Sequence, residues 1–152
     1  MYNDLQLRPF APTDQAAAKA LILRGLEEHW GVLDLTKNSD LNDIAASYAD
    51  GVFLVALRGN ALVGTGALIP ETDGGGRIVR MSVATELRRH GLGKAILDRL
   101  CTEARQRGYR QLVLETTKTW DDAVNFYTRY GFQTVHIDEE DRHFRLALAD
   151  QA

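Results

Sequence analysis

A short run of basic residues and glycines, Arg88-Arg89-His90-Gly91-Leu92-Gly93-Lys94, is the part of the sequence whose residue types most clearly suggest chemistry. Its second half begins a predicted helix, where the helix dipole is positive and each further cation is disfavoured by about half a kcal/mol. A bound polyanion would remove this conflict. Gly91 and Gly93 let the backbone approach such a ligand, so that free N–H groups can point at phosphate oxygens. The run predicts a pyrophosphate site, although two glycines in a tight turn beside solvated arginines would give the same residues.

Two other phosphate-binding motifs share some of these residues. A P-loop requires Ser or Thr directly after Gly-Lys, but Ala95 follows Gly93-Lys94. A dinucleotide fingerprint matches at both glycines and has Glu115 at a tolerable distance, but Ile96 occupies the position of its third glycine. Residues 84–90 also separate the preceding strand from the glycines. The P-loop is therefore excluded, and a nicotinamide-dinucleotide enzyme remains a weaker alternative.

The elements that must position this run can be predicted from apolar periodicity and turn residues. The predicted strands are Leu5–Phe10, Val52–Leu57, Ala61–Ile69, Arg77–Val83, Gln111–Thr117, Phe132–Ile137 and His143–Leu148. The predicted helices are Ala16–Glu28, Asp40–Tyr48 with Asp40 as its cap, Gly91–Arg107 and Trp120–Tyr130, with residues 29–39 irregular. The order βααβββαβαββ indicates an α+β or mixed α/β layer rather than a doubly wound parallel sheet.

Length and composition narrow the classes of function. A chain of 152 residues with 45% hydrophobic residues is the size of one globular domain, which we assign to residues 1–152. The net charge of -3 gives no global attraction to nucleic acid or to an anionic membrane. A single cysteine, Cys101, rules out an intrachain disulfide, and no His or Cys spacing suggests a metal site. Met1–Asp4 lacks the features of a signal peptide, so a cytoplasmic location is expected.

Three motifs occur in a characteristic order along the chain. Arg88-x-x-Gly91-x-Gly93 is preceded by Arg80-Met81-Ser82-Val83 and followed by Phe126-Tyr127-x-x-Tyr130-Gly131-Phe132. Together they resemble the GNAT superfamily of coenzyme A-dependent N-acyltransferases, with the match by motif covering residues 52–132. The resemblance implies a central, mostly antiparallel sheet, splayed between strands 4 and 5 and flanked by helices on both faces. It also implies acetyl-CoA as cosubstrate, with no metal.

The resemblance assigns roles in binding coenzyme A. The splay would hold the thioester between Arg80–Val83 and Leu112–Glu115, where the Met81 and Val83 backbones would pair with pantetheine as an added strand. An N–H of Met81 or Ser82 would bind the developing oxyanion. Trp120 stands where the family often has an asparagine, so we expect it, with Ala123, to pack against the cofactor. The pyrophosphate would be held by the backbone amides of Arg89, His90, Gly91, Leu92, Gly93 and Lys94, with Arg88 completing the signature.

Two side chains are candidates for proton transfer. The resemblance implies that Tyr127 is the general acid at the thiol leaving group, whereas a core aromatic residue is the simpler alternative. An acceptor amine must lose a proton, and Glu115, at the end of a strand lining the splay, is our first choice of base. Glu71 and Glu27 are weaker choices. Alternatively, Glu115 pairs with a neighbouring arginine such as Arg80.

Acceptor specificity in this family comes from the segment between the first two helices and from the C-terminal hairpin. The first contains Glu27, His29 and Trp30, which we assign to the substrate, although an exposed His in a turn and a core Trp would explain His29 and Trp30 equally well. The second contains Asp138-Glu139-Glu140-Asp141, with His136 and His143 nearby. A solvated hairpin tip would also explain the acidic run.

The resemblance therefore predicts transfer of acetyl from acetyl-CoA to a primary amine of a small molecule, amino acid or peptide. A non-catalytic acyl-CoA-binding or regulatory module is the alternative. The sequence leaves open the acceptor, the acyl-chain preference and the oligomeric state, a homodimer included.

Overall fold

A seven-stranded sheet with the order β1-β2-β3-β4-β5-β7-β6 organises the chain. The computed structural model describes residues 5–31, 34 and 36–148. All neighbouring strands pair antiparallel except β4 and β5, which are parallel. The strands are β1 Leu5–Pro9, β2 Val52–Arg58, β3 Ala61–Pro70, β4 Gly76–Val83, β5 Gln111–Thr117, β6 Gln133–Ile137 and β7 Asp141–Ala147. The mostly antiparallel sheet confirms the predicted mixed α/β fold class.

Within the described residues four helices flank the sheet, and the order of helices and strands confirms the predicted βααβββαβαββ. The helices are α1 Gln15–Trp30, α2 Ile44–Ser47, α3 Leu92–Gln106 and α4 Asp121–Tyr130. A 3-10 turn at Thr85–Leu87 separates β4 from α3, so the direct strand-to-glycine turn that a dinucleotide fingerprint needs does not occur here. No helix among the described residues is long and apolar enough to cross a membrane.

The helices cover the sheet from both sides, because successive residues of a strand point to opposite faces. Leu54 and Ala56 of β2 belong to a hydrophobic cluster with α3 and with Tyr127 of α4. Their neighbours Phe53 and Val55 belong to a second cluster, to which α1 and α2 contribute. The sheet is therefore the middle layer of three.

The sheet opens between β4 and β5. These strands pair only at Gly76–Leu112 and Arg77–Val113, whereas β5 stays paired with β7 along its whole length. Beyond Arg77, β4 continues to Val83 with no partner on its β5 side among the described residues. This splay confirms the predicted opening between strands 4 and 5.

Two details of the helices differ from the sequence-based expectation. Helix α1 continues to Trp30, past the predicted end at Glu28, because the left-handed Gly31 is the residue that ends it and donates its N–H to Glu27. The cap of the second helix is Asp43, whose carboxylate accepts the N–H of Ala46 at 3.1 Å. The predicted cap Asp40 lies in a preceding 3-10 turn and binds other groups.

Some expectations fall outside the described residues. One is the expectation that Met1–Asp4 is not part of a signal peptide. The other is the irregular conformation expected for residues 32, 33 and 35.

Candidate functional site

The start of α3 presents backbone N–H groups that have no acceptor. Gly91 precedes the helix with φ 88°, and Arg89 also has a positive φ of 65°. The first backbone bond of the helix runs from Ala95 to Gly91, and no group of the described residues accepts from the N–H groups of Leu92–Lys94. Free N–H groups at the positive end of a helix form a binding place for an anion.

The basic side chains around this helix start are paired with surface carboxylates. Arg88 donates to the carbonyl of Val83 at 3.1 Å and lies 3.3 Å from Glu28. Arg89 and Asp122 are 3.5 Å apart, with both side chains at least 80% exposed, and Lys94 lies 3.0 Å from Asp98. Exposed ion pairs of this kind contribute little to stability. These cations can therefore exchange a carboxylate for a phosphate at small cost; His90 is exposed beside them.

Gly93 lies where α3, α4 and β4 approach one another. A Cβ at this position would be 3.4 Å from the ring of Phe126 and 3.9 Å from Val83. On α4, Ala123 is half-buried and packs on the larger hydrophobic cluster. The helix start and the first turns of α4 thus flank the same end of the splay.

The edge of β4 that faces the splay carries main-chain groups that have no strand partner on the β5 side among the described residues, and the Val83 carbonyl accepts from Arg88 instead. Ala84 donates its N–H to Val63 of β3, and Ser82 pairs with Thr65 of β3. Because main-chain groups alternate in direction along an extended strand, those of Met81 and Val83 point away from β3, towards the opening. Of the two N–H groups that the sequence left as candidates for an oxyanion, that of Met81 faces the splay.

Tyr127 is buried among aromatic rings, 8% exposed. It packs in α4 against Phe126, Phe132 and Phe144. Burial raises the pKa of its phenol well above the ordinary value of 10, so the hydroxyl stays protonated. Within the described part of the chain, that hydroxyl has no hydrogen-bond partner. The side chain is both a core aromatic residue and a proton donor without an acceptor.

Glu115 lies on the face of the sheet opposite α3 and α4, because its neighbour Leu114 points into their cluster. Its carboxylate forms an ion pair with Arg77 of β4, which also donates through Nε to Glu71 at 2.9 Å. The expected pairing with a neighbouring arginine occurs, but the partner is Arg77 and not Arg80. Arg80 instead binds Asp40.

His143 of β7 is paired with Glu115 across the strands, with Nδ1 3.9 Å from its carboxylate. On its other side, Nε2 is 2.8 Å from Asp138. The N–H groups of Asp141 and Glu140, with His143, lower the pKa of Asp138 well below its usual range. The side-chain atoms of Asp138, Asp141 and His143 that could bind a metal ion lie within 4.8 Å of one another. The hydrogen bonds within this turn are sufficient to explain why these side chains are close.

The residues assigned to the acceptor lie at the end of α1. His29 stacks on Trp120, with ring centroids 3.8 Å apart and planes at 10°. Trp30 packs edge-on against His29 and is 53% exposed, and Glu27 is exposed one turn earlier. Trp120 follows the end of β5, whereas Glu28 of α1 contacts Thr85 just beyond β4. The stack therefore joins the two sides of the splay, a contact that sequence periodicity gave no signal for.

Known proteins resemble this chain in sequence. Residues 17–132 match the model of the acetyltransferase (GNAT) family. "N-acetyltransferase 8F1" of Rattus norvegicus is 38% identical over 102 residues, which are 62% of this chain and 46% of the relative, so the chain spans about half the length of that protein. "IAA acetyltransferase" of Azospirillum brasilense is 33% identical over 113 residues, 73% of this chain and 74% of the relative.

Solved structures resemble it in fold. A GNAT-family acetyltransferase from Staphylococcus aureus Mu50 superposes with a TM-score of 0.87 at 20% identity, covering 95% of this chain and 99% of that one. The PaiA N-acetyltransferase of Thermoplasma acidophilum, solved in complex with coenzyme A, gives a TM-score of 0.81 at 18% identity, covering 94% and 98%. At these identities the likeness concerns the fold alone.

Proposed function

The chain belongs to the acetyltransferase (GNAT) family, and we propose that it transfers an acetyl group from acetyl-CoA directly to a primary amine. The observation that carries the proposal is a path of main-chain groups that lack a helix or strand partner among the described residues, with the Arg88 side chain bound to the Val83 carbonyl. The path runs from the N–H groups of Leu92–Lys94 to the unpaired edge of β4 at Met81 and Val83. A pyrophosphate followed by an extended amide-containing arm has the chemistry that such a path would bind.

The residues present fit coenzyme A. The orphan N–H groups of α3 suit the pyrophosphate, and the nearby Arg88, Arg89 and Lys94 suit its charge. Ala123 and Trp120, on the β5 side of the opening, would contact the pantetheine arm. When bound, acetyl-CoA supplies an acetyl thioester as the acyl donor.

The residues of this chain would position the reactants and transfer protons. The N–H of Met81 would donate to the acyl oxygen as negative charge develops on it. The hydroxyl of Tyr127, protonated and without an acceptor, would donate to the departing sulfur. No covalent intermediate on the protein is needed.

The acceptor amine must give up a proton, and we propose Glu115 as the base, acting directly or through water. It lies on the face of the splay opposite α3, with Nδ1 of His143 3.9 Å from its carboxylate. Glu71, bound to the same Arg77, is the second choice. The acidic side chains at this face and the exposed Glu27 suit a cationic amine of a small molecule, amino acid or peptide.

Thiol release from acetyl-CoA, measured across a panel of primary amines, tests the proposal. We expect release that depends on the amine and forms the acetylated amine in equal amounts. Calorimetry with coenzyme A and with a nicotinamide dinucleotide should give binding only for the former. Binding of coenzyme A with no amine-dependent release would contradict the enzyme proposal in favour of an acyl-CoA-binding module.

A further inference from the structure

Strand β4 carries a β-bulge at the residues proposed to face the thioester. Arg80 and Met81 together lie opposite Gly66 of β3, because the register of the two strands shifts at this point. Arg80 has a φ of 56°, in the left-handed region that residues with a Cβ rarely adopt. Such a conformation persists only where surrounding contacts hold it.

Two contacts hold Arg80, one at its backbone and one at its side chain. Thr65, fully buried in β3, donates its hydroxyl to the Arg80 carbonyl at 2.7 Å. Asp40 accepts from Nε and Nη2 of the guanidinium at 3.0 and 2.6 Å. Tyr48 donates to the same carboxylate at 2.5 Å. Burial, together with the bond to Asp40, raises the pKa of Tyr48 to about 12, so this hydroxyl keeps its proton.

Gly66 gives the bulge its shape on the other face of the sheet. A Cβ at this position would lie 2.7 Å from the sulfur of Met81 and 2.5 Å from Ile96. The Met81 side chain therefore packs towards α3, on the face opposite the Asp40 contact. Because this side chain is seated on one face and Arg80 is held on the other, the main chain between them has little freedom to turn.

We infer that Asp40 and Thr65 are positioning residues, which hold Arg80 in its left-handed conformation and so keep the N–H of Met81 directed into the splay. The role of that N–H rests on the proposed function, whereas the contacts that hold Arg80 do not. Asp40 belongs to the segment between α1 and α2, which flanks the acceptor side. The contact that holds the bulge thus comes from the acceptor side of the sheet, whereas the N–H that the bulge directs would contact the acetyl donor.

Three substitutions and one matched control test this inference. Thr65→Val keeps the shape of the side chain and removes the hydroxyl, whereas Thr65→Ser keeps the hydroxyl. Asp40→Asn keeps the shape and removes the charge. The control is Asp14→Asn, because Asp14 is 6% exposed and makes the same two-bond pair with Arg8, at 2.7 and 2.9 Å, away from the splay.

We expect Thr65→Val and Asp40→Asn to lower kcat about tenfold or more, with the KM for acetyl-CoA changed less than about twofold. Thr65→Ser, which keeps the hydroxyl, should retain most of the wild-type kcat. Asp14→Asn should lower the melting temperature but leave kcat unchanged. If kcat in the Thr65 and Asp40 variants falls no further than in Asp14→Asn at equal loss of melting temperature, both residues are merely structural and the inference is wrong.

A second measurement does not depend on turnover. In the free protein, amide shifts of Arg80 and Met81 in NMR spectra report the bulge, and we expect Thr65→Val and Asp40→Asn to move both while Asp14→Asn moves neither. Unchanged shifts in the first two variants would overturn the inference. Absence of amine-dependent thiol release by the wild-type protein would instead overturn the proposed function, and the shifts would still decide whether Asp40 and Thr65 hold the bulge.

Discussion

The burial of Tyr127 has two effects that separate its structural role from its proposed catalytic one. Its ring fills space between Phe132 and Phe144, and phenylalanine fills that space equally well. Burial also raises the pKa of the phenol. The hydroxyl therefore remains a donor at every pH at which an amine acceptor is studied, up to the ordinary phenol value of about 10.

Tyr127→Phe should lower kcat about tenfold to a hundredfold and leave the KM for acetyl-CoA nearly unchanged, because it removes a proton donor and no packing. The wild-type pH–rate profile should have no limb from this residue below about pH 10. Steady-state kinetics and a thermal melt of both proteins check this prediction. Equal turnover with a strongly basic amine would remove Tyr127 from the mechanism.

Glu115→Gln should lower kcat/KM about tenfold or more, because it removes the proposed base. The fold should tolerate this change, because Arg77 keeps its bonds to Glu71. Glu71→Gln is the matched comparison, since it removes a carboxylate from the same arginine. A larger effect from Glu71→Gln would transfer the role of base to Glu71, and an unchanged kcat/KM in both variants would leave Glu115 as the partner of Arg77 only.

At the scale of elements, the glycines at the two ends of α3 allow an effect on ligand binding to be distinguished from an effect of backbone strain. Gly91 before the helix and Gly108 after it have φ values of 88° and 80°, and a Cβ at either would meet nothing within 4 Å. Alanine at each position should therefore cost about 1 kcal/mol of folding stability.

Only Gly91→Ala should weaken the binding of coenzyme A, because only that end of α3 carries the free N–H groups of Leu92–Lys94. We expect a rise in Kd of about tenfold by calorimetry, against less than about twofold for Gly108→Ala at the same loss of denaturation free energy. Equal Kd values in the two variants would place the pyrophosphate elsewhere.

Elements with strong local signals could be predicted from the sequence, and those set by distant contacts could not. The apolar spacing of α3 and its flanking glycines gave its bounds within one residue at either end. Asp40 looked like a cap because Asp favours that position, but Asp43 accepts the N–H bond. The carboxylate of Asp40 is bound to Arg80, which is distant in the chain, and no local pattern reveals such a partner.

At the scale of the whole molecule, the predicted site residues fall into two groups. The run Arg88–Lys94 and the edge of β4 lie on the same end of the splay, as the motif order implied, because both follow from one strand and the turn after it. The pairing of Glu115 with Arg77 depends on how far β4 and β5 pair before they separate. The stack of His29 on Trp120 depends on where α1 ends. These contacts arise only once the layers are packed.

The stability of the whole molecule in acid should depend on carboxylates that the fold pairs with arginine. Arg8 holds the pKa of Asp14 below its usual range through two hydrogen bonds, and the N–H of Ala11 adds to this effect. The pair therefore stabilises the fold above the unfolded-chain value of about 3.9, and its contribution is lost as the pH falls through the lower pKa of the folded state. Asp14→Asn should melt several degrees below the wild-type protein at pH 7, and the two melting temperatures should converge as the pH falls below the unfolded-chain value and through the lower pKa of the folded state, as calorimetric scans across that range would measure. A difference that persists undiminished in acid would mean that the carboxylate contributes through its shape and neutral hydrogen bonds and not through its charge.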